Sequence, residues 1–142
     1  MKMHLRIYAA LAFLLPTLAQ ACSTNNPEVF APFFSRFSNE QGFAVQRTDT
    51  PLRMLRWEYG LNDKGQDVSS PVTSSLSREE YAKWPRLITY MQANGLQAKV
   101  TSLTNKTAVV DVYKDGSDWL VLYHFKRVAG CWRFWQYEDQ SL

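Results

Sequence analysis

The chain has 142 residues, a formal net charge of +3 and an apolar fraction of 46%. It is too short for two ordinary domains and too apolar to be disordered, and six Gly and six Pro exclude a collagen-like or low-complexity chain. One small globular domain remains, rich in aromatics, with 8 Phe, 7 Tyr and 5 Trp.

Lys2 and Arg6 form a short positive region before the apolar run Ile7 to Leu15. Pro16 ends that run, and Ala19-Gln20-Ala21 supplies small residues at the −3 and −1 positions, the anatomy of a secretory signal peptide. The run is too short to span a hydrocarbon core of about 30 Å. Residues 1–21 are therefore expected to be a signal peptide and residues 22–142 a single domain, exported to a bacterial periplasm or secreted. Without residues 1–21 the formal charge falls to +1. No Lys/Arg stripe remains, so nucleic acid is not an expected partner.

Cys22 stands at the first mature position and Cys131 near the C-terminus. In an oxidising compartment two cysteines suggest one disulfide, and closing so long a loop contributes about 4–5 kcal/mol by loop-closure entropy. Two other readings stay open. Cys22 is acylated as in a bacterial lipoprotein, which would tether the chain to a membrane, although Leu18 lies four residues before it rather than the usual three. Or both thiols are free and buried. There is no C-x-x-C motif or zinc-type spacing, and neither a metal nor a cofactor is expected.

Asn26-Pro27-Glu28 predicts a helix start, with Asn as cap and Pro in the first helical position. Val29, Phe30, Phe33, Phe34 and Phe37 follow at helical spacing, with Pro32 either kinking the helix or setting its true start. Asn39 to Gly42 is expected to be a turn, and Pro51 enforces an extended approach. Leu52 to Tyr59 predicts a strand with Leu55, Trp57 and Tyr59 on one face and Arg56 and Glu58 on the other. A short strand is expected over Val68 to Leu76. Ser77-Arg78-Glu79-Glu80 is a capping box. Trp84, Leu87, Ile88 and Met91 then recur at helical spacing, with Pro85 splitting or kinking the helix and Gly95 capping it. Four strands follow: Leu96 to Leu103, Thr107 to Lys114, Trp119 to Lys126 and Trp132 to Tyr137. Asp115-Gly116 and Gly130 mark turns, and Trp119, Val121, Tyr123 and Phe125 share one face. The order argues an α+β fold, a curved antiparallel sheet packed on N-terminal and central helices.

Two passages carry a resemblance. Phe30-Ala31-Pro32-Phe33-Phe34-Ser35-Arg36-Phe37, continued by Phe43, Arg47 and Pro51-Leu52, resembles the opening of an uncharacterised bacterial family, domain of unknown function 4348, found in secreted Bacteroidetes-type proteins. Tyr123 through Trp132 (YHFKRVAGCW) is similar to that family's closing hairpin. The chain departs from the pattern at Ala44, where the family tends to have Gln, and at Asn39-Glu40, which replaces an acidic residue after the third Phe. The resemblance implies a cone of curved sheet closed by helices, similar to nuclear transport factor 2, and implies no activity.

His124 is the single histidine of the mature chain, and Asp111 is the acid to test beside it. With a two-residue loop at Asp115-Gly116, Asp111 faces Leu120 and His124 faces Thr107, on one face but about 10 Å apart. A surface or satisfied strand role competes at both positions. Arg47, Trp57 and Tyr59 are candidate ligand contacts. Arg47 is a planar fork for a carboxylate or phosphate, or else half of a structural ion pair. The leading expectation is an exported non-catalytic domain that binds a small ligand or envelope protein through a cone pocket or sheet face. One alternative is a small hydrolase, isomerase or dehydratase using His124 and an acid. Another is an immunity or inhibitor protein of the cell envelope.

Overall fold

The aromatic stripe forms α1 (Phe30–Asn39), which buries Phe30, Phe33 and Phe37. The computed structural model describes residues 21–142; residues 1–20 lie outside the described residues, and the signal-peptide reading rests on them. The helix starts later than expected. Val29 is its cap, and Pro32 sits in the first turn, where a missing N–H costs little. Asn26 instead closes an isolated bridge with Ser23, and Glu28 is committed elsewhere. The expected turn after Asn39 is one residue long. Glu40 breaks the helix, and α2 (Gln41–Gln46) follows at once, burying Phe43, Ala44 and Val45.

β1 (Thr48–Leu61) and β2 (Asp67–Leu76) form a long hairpin. The Ser77 capping box then forms as predicted: Ser77 Oγ accepts from the Glu80 N–H, and the Glu80 carboxylate accepts from the Ser77 N–H at 2.7 Å. It starts α3 (Arg78–Ala82). Pro85 separates this from α4 (Leu87–Asn94), which Gly95 ends in the left-handed region at φ 65°. β3 (Gln97–Leu103), β4 (Thr107–Tyr113), β5 (Leu120–Val128) and β6 (Cys131–Asp139) complete the chain.

The six strands make one sheet in the order β2-β1-β6-β5-β4-β3. It is mixed rather than wholly antiparallel, because β1 runs parallel to β6. Register breaks at Val100/Ser102 and His124/Phe125, and on β1 between Thr48 and Arg53, bend the strands. Such bulges raise local twist and curl the sheet into a cone.

The concave face holds Ala108, Val110, Val112, Val121, Tyr123, Phe125, Trp132 and Phe134, all buried. α1 lies on it through interlocked rings. Phe30 meets Phe125 and Trp132 edge-on at 5.4 and 5.1 Å, and Phe37 meets Phe125 and Phe134 at 5.2 and 5.5 Å. Burying each such ring contributes about 1.5–3 kcal/mol, and an edge-on pair about 0.5–1.5 kcal/mol more. On β1, Leu52 and Met54 pack toward the core. The predicted Leu55–Trp57–Tyr59 face is therefore the outer one.

Cys22 and Cys131 form the expected disulfide, with Cα atoms 5.2 Å apart. It ties the N-terminal strap to the β5–β6 turn, where Ala129 and Gly130 both have positive φ (48° and 82°), the geometry of a two-residue hairpin turn. The strap lies so close that a Cβ on Gly130 would stand 1.8 Å from the Ser23 carbonyl oxygen. Among the described residues no helix is long and apolar enough to cross a membrane.

Candidate functional site in the cone

The helices do not fill the wide end of the cone. A cavity of about 270 Å³ remains between α1, α2, the α3–α4 corner and the ends of β5 and β6. Its floor is Tyr123 and Tyr137 from adjacent strands, registered opposite one another with rings 5.5 Å apart. One wall is Tyr81, Trp84 and Tyr90 from the helical corner, and the other is Phe37, Gln41 and Ala44. The corner exists because Pro85 interrupts the helix, which turns Trp84 inward to stack edge-on against Tyr81 and Tyr137 at 5.3 and 5.4 Å. Gln41 donates from Nε2 to the Tyr81 carbonyl at 3.1 Å and fixes α2 to that wall.

Four of the lining residues are tyrosines, and burial governs all of them. It pushes Tyr81 up to about 12 and carries Tyr137 higher, aided there by the neighbouring Tyr90 and Asp139. Tyr123 is raised well above its ordinary value by burial, then by the hydroxyls of Tyr137, Tyr81 and Tyr90. Tyr90 is raised by burial and by Asp139. All four stay protonated across any physiological pH and can donate as well as accept. The hydroxyls of Tyr123 and Tyr137 make no hydrogen bond to another described residue, yet the only fully enclosed side-chain polar atom without a partner among the described residues is Arg127 Nε. The two phenols therefore keep their polar atoms open to the cavity that they line. No carboxylate, imidazole, thiol or basic group is among the lining side chains of the described residues.

The predicted site residues lie elsewhere. Arg47 closes a clasp at the narrow end. Its Nη1 and Nη2 donate to the two Glu28 carboxylate oxygens at 2.8 and 3.2 Å, and Nη1 also reaches the Trp132 carbonyl at 3.1 Å. The guanidinium lies 5.0 Å from the centre of the Phe43 ring. Glu28 accepts the Trp132 backbone N–H at 2.9 Å, and its own carbonyl accepts from Trp132 Nε1 and Arg127. The bidentate fork is thus used within the protein, with both side chains about four-fifths buried.

His124, Asp111 and Trp57 stand on the outer face, opposite the cavity. His124 pairs across with Val109, and Asp111 with Leu122. The β4–β5 loop runs from Lys114 to Trp119, longer than the two residues expected, and so shifts the register. Asp111 bonds Thr101 Oγ1 at 2.8 Å. His124 Nε2 meets Glu138 Oε2 at 2.8 Å instead, while Glu138 Oε1 accepts from Trp57 Nε1 at 2.9 Å and from Gln140 at 2.7 Å. Burial raises the Glu138 carboxyl, but the bonds from Gln140, Trp57 and His124 together with the His124 charge outweigh it and leave it below its usual range. The His124–Asp111 pair is therefore not formed. Tyr59 is exposed near the tip of the β1–β2 hairpin. The cavity residues were visible only in part: the inward period of β5 names Tyr123, and the stripe after Ser77 names Trp84. Of the residues that complete it, Tyr81, Tyr90 and Tyr137 carry no signal beyond aromatic type, and Gln41 carries none.

Comparison with solved structures supports the cone. An NTF2-like protein from Bacteroides fragilis is 18% identical with a TM-score of 0.58, over 83% of this chain and 49% of that one. The chain thus spans about half of that protein's length. A cystatin-like protein from Bacteroides caccae is 22% identical with a TM-score of 0.51, over 84% of this chain and 78% of that one. No protein-family model matches the chain, and no curated protein does. The topology and these likenesses together show an NTF2-like fold, the α+β cone that the resemblance implied.

Proposed function

We propose that this chain is an exported, non-catalytic domain that binds one small ligand in its cone, and that it belongs to the family of domain of unknown function 4348. The observation that carries the binding reading is the open cavity floored by Tyr123 and Tyr137, whose hydroxyls have no partner among the described residues. A hydroxyl that opens into an apolar cavity keeps its hydrogen-bonding capacity for a ligand or a water. An apolar hollow with a few polar groups is the usual form of a small-molecule site. The reading without catalysis rests on the placement of His124 and Asp111 on the far side of the sheet. The export reading rests on the leader-like N-terminus, and a disulfide is compatible with it. The family reading rests on the clasp, because the matching residues Phe33, Phe43, Arg47 and Trp132 assemble into that one unit.

Titration with the neutral fluorescent probe N-phenylnaphthylamine tests the reading. One molecule is expected per chain, and Gln41→Trp, which fills the wall, is expected to abolish binding while circular dichroism shows the chain still folded, with melting lowered by the loss of the Gln41–Tyr81 bond. Absence of binding to the folded wild type, or equal binding to the filled variant, refutes it.

A further inference from the structure

The wide end of the cone is an aromatic box with a one-sided charge. Phe37, Tyr81, Trp84, Tyr90, Tyr123 and Tyr137 supply rings on its floor and walls. Asp139 follows Tyr137 by two residues on β6 and stands opposite Val121, whose side chain is buried in the concave face. By strand alternation Asp139 therefore shares the cavity side of the sheet with Tyr137. Its Oδ1 accepts the Ser141 N–H at 3.0 Å, and it forms no ion pair among the described residues. The basic residue beside it across β1, Arg56, is bound to Glu58 at 2.6 Å. Lys83 and Arg86 flank the Trp84–Pro85 corner but are exposed and do not line the cavity. Asp139 is itself outside the lining, and its carboxylate lies next beyond Tyr137 along the same side of β6.

Ring faces carry negative potential, and a box of them with a carboxylate at its rim attracts a cation that sheds its water easily. A metal ion or a primary ammonium, strongly hydrated, would need charged or carbonyl oxygen ligands, whereas the cavity side chains offer only neutral phenol hydroxyls and one amide. An anion would meet Asp139 and find no basic group. We propose that the cone binds an organic cation through a quaternary or tertiary ammonium head, held against the tyrosine and tryptophan faces with Asp139 at the rim. This rests on the reading of the cone as a ligand site and names its chemistry.

Isothermal titration of the mature, disulfide-bonded chain with choline and with its uncharged carbon isostere, 3,3-dimethylbutanol, tests it. The two probes have the same shape and differ in charge. Choline is expected to bind at least about tenfold more tightly, a ratio within the range of several ring–cation contacts. Asp139→Asn is expected to lower choline affinity about threefold and leave the isostere unchanged, and Trp84→Leu to weaken both. Equal or tighter binding of 3,3-dimethylbutanol overturns the cation assignment and leaves the cone as a ligand site. If N-phenylnaphthylamine binds but choline does not, the cation assignment is also overturned. If none of the three binds the folded chain, both readings fail.

Discussion

Removing the Arg47 guanidinium opens the clasp that holds Glu28 against β6 and should measurably destabilise the fold. In Arg47→Ala the Glu28 carboxylate loses both charge-assisted bonds, at 2.8 and 3.2 Å, and the Trp132 carbonyl loses its donor at 3.1 Å. Glu28 keeps only the Trp132 backbone N–H. Breaking a buried pair in this one-sided way costs about 3–5 kcal/mol. The Glu28 side chain is 18% exposed, so water recovers part of that, and the expected loss is about 2–3 kcal/mol. For a domain of this size that corresponds to roughly 10 °C in Tm. Urea unfolding followed by tryptophan fluorescence reads it, since Trp132 lies in the clasp. A double-mutant cycle with Glu28→Ala should show a coupling above about 1 kcal/mol. A loss below about 0.5 kcal/mol, or additive single mutants, would show that the clasp is incidental to stability.

Three further outcomes follow from the same geometry. Reducing the Cys22–Cys131 bridge, which spans 109 residues, should cost about 4–5 kcal/mol by loop-closure entropy, and Cys22→Ser should match the reduced wild type in urea; an unchanged midpoint contradicts this. Gly130→Ala should destabilise by at least about 2 kcal/mol, because the new Cβ meets the Ser23 carbonyl and φ is 82°; a neutral effect in thermal melts would mean that the strap moves freely. In acid, Asp49 should matter. Burial raises its carboxyl, but the bonds and charges of Lys126 (2.6 Å) and Arg133 (2.5 Å) bring it below its usual value. A depressed acid stabilises the fold above its unfolded pKa of about 3.9 and loses that contribution as pH falls through the lower folded value. Asp49→Asn should therefore flatten the pH–stability curve below about pH 4, and an unaltered acid limb would refute the assignment.

Regular periods made much of this fold legible. The Phe30–Phe37 stripe, the Ser77 capping box, the Gly95 cap and the inward alternation of β5 each follow from local chemistry that tertiary packing does not override. What failed depended on counts that local chemistry leaves free. α2 was hidden because Glu40 and Gly42 look like a turn, whereas the burial of Phe43 to Val45 stabilises a helix there. The His124 and Asp111 registers slipped because Asp115-Gly116 lies within a longer loop. Trp57 looked like a pocket residue because a strand's period gives two faces without saying which is inner. The core-facing Leu52 and Met54 decide that. The cavity itself is a negative space between four helices and a curved sheet, and no single segment encodes it. Its one early sign was tyrosine, rather than phenylalanine, at inward positions such as Tyr123.

Fluorine NMR of the chain labelled with 3-fluorotyrosine, titrated with N-phenylnaphthylamine, reads ligand binding in the cone directly. Among the described residues the tyrosines divide into the cavity set, Tyr81, Tyr90, Tyr123 and Tyr137, and the outer pair, Tyr59 and Tyr113. The cavity resonances are expected to shift together and saturate at one equivalent while Tyr59 and Tyr113 stay fixed. Shifts confined to Tyr59 and Tyr113, or none with the probe bound, would contradict binding in the cone.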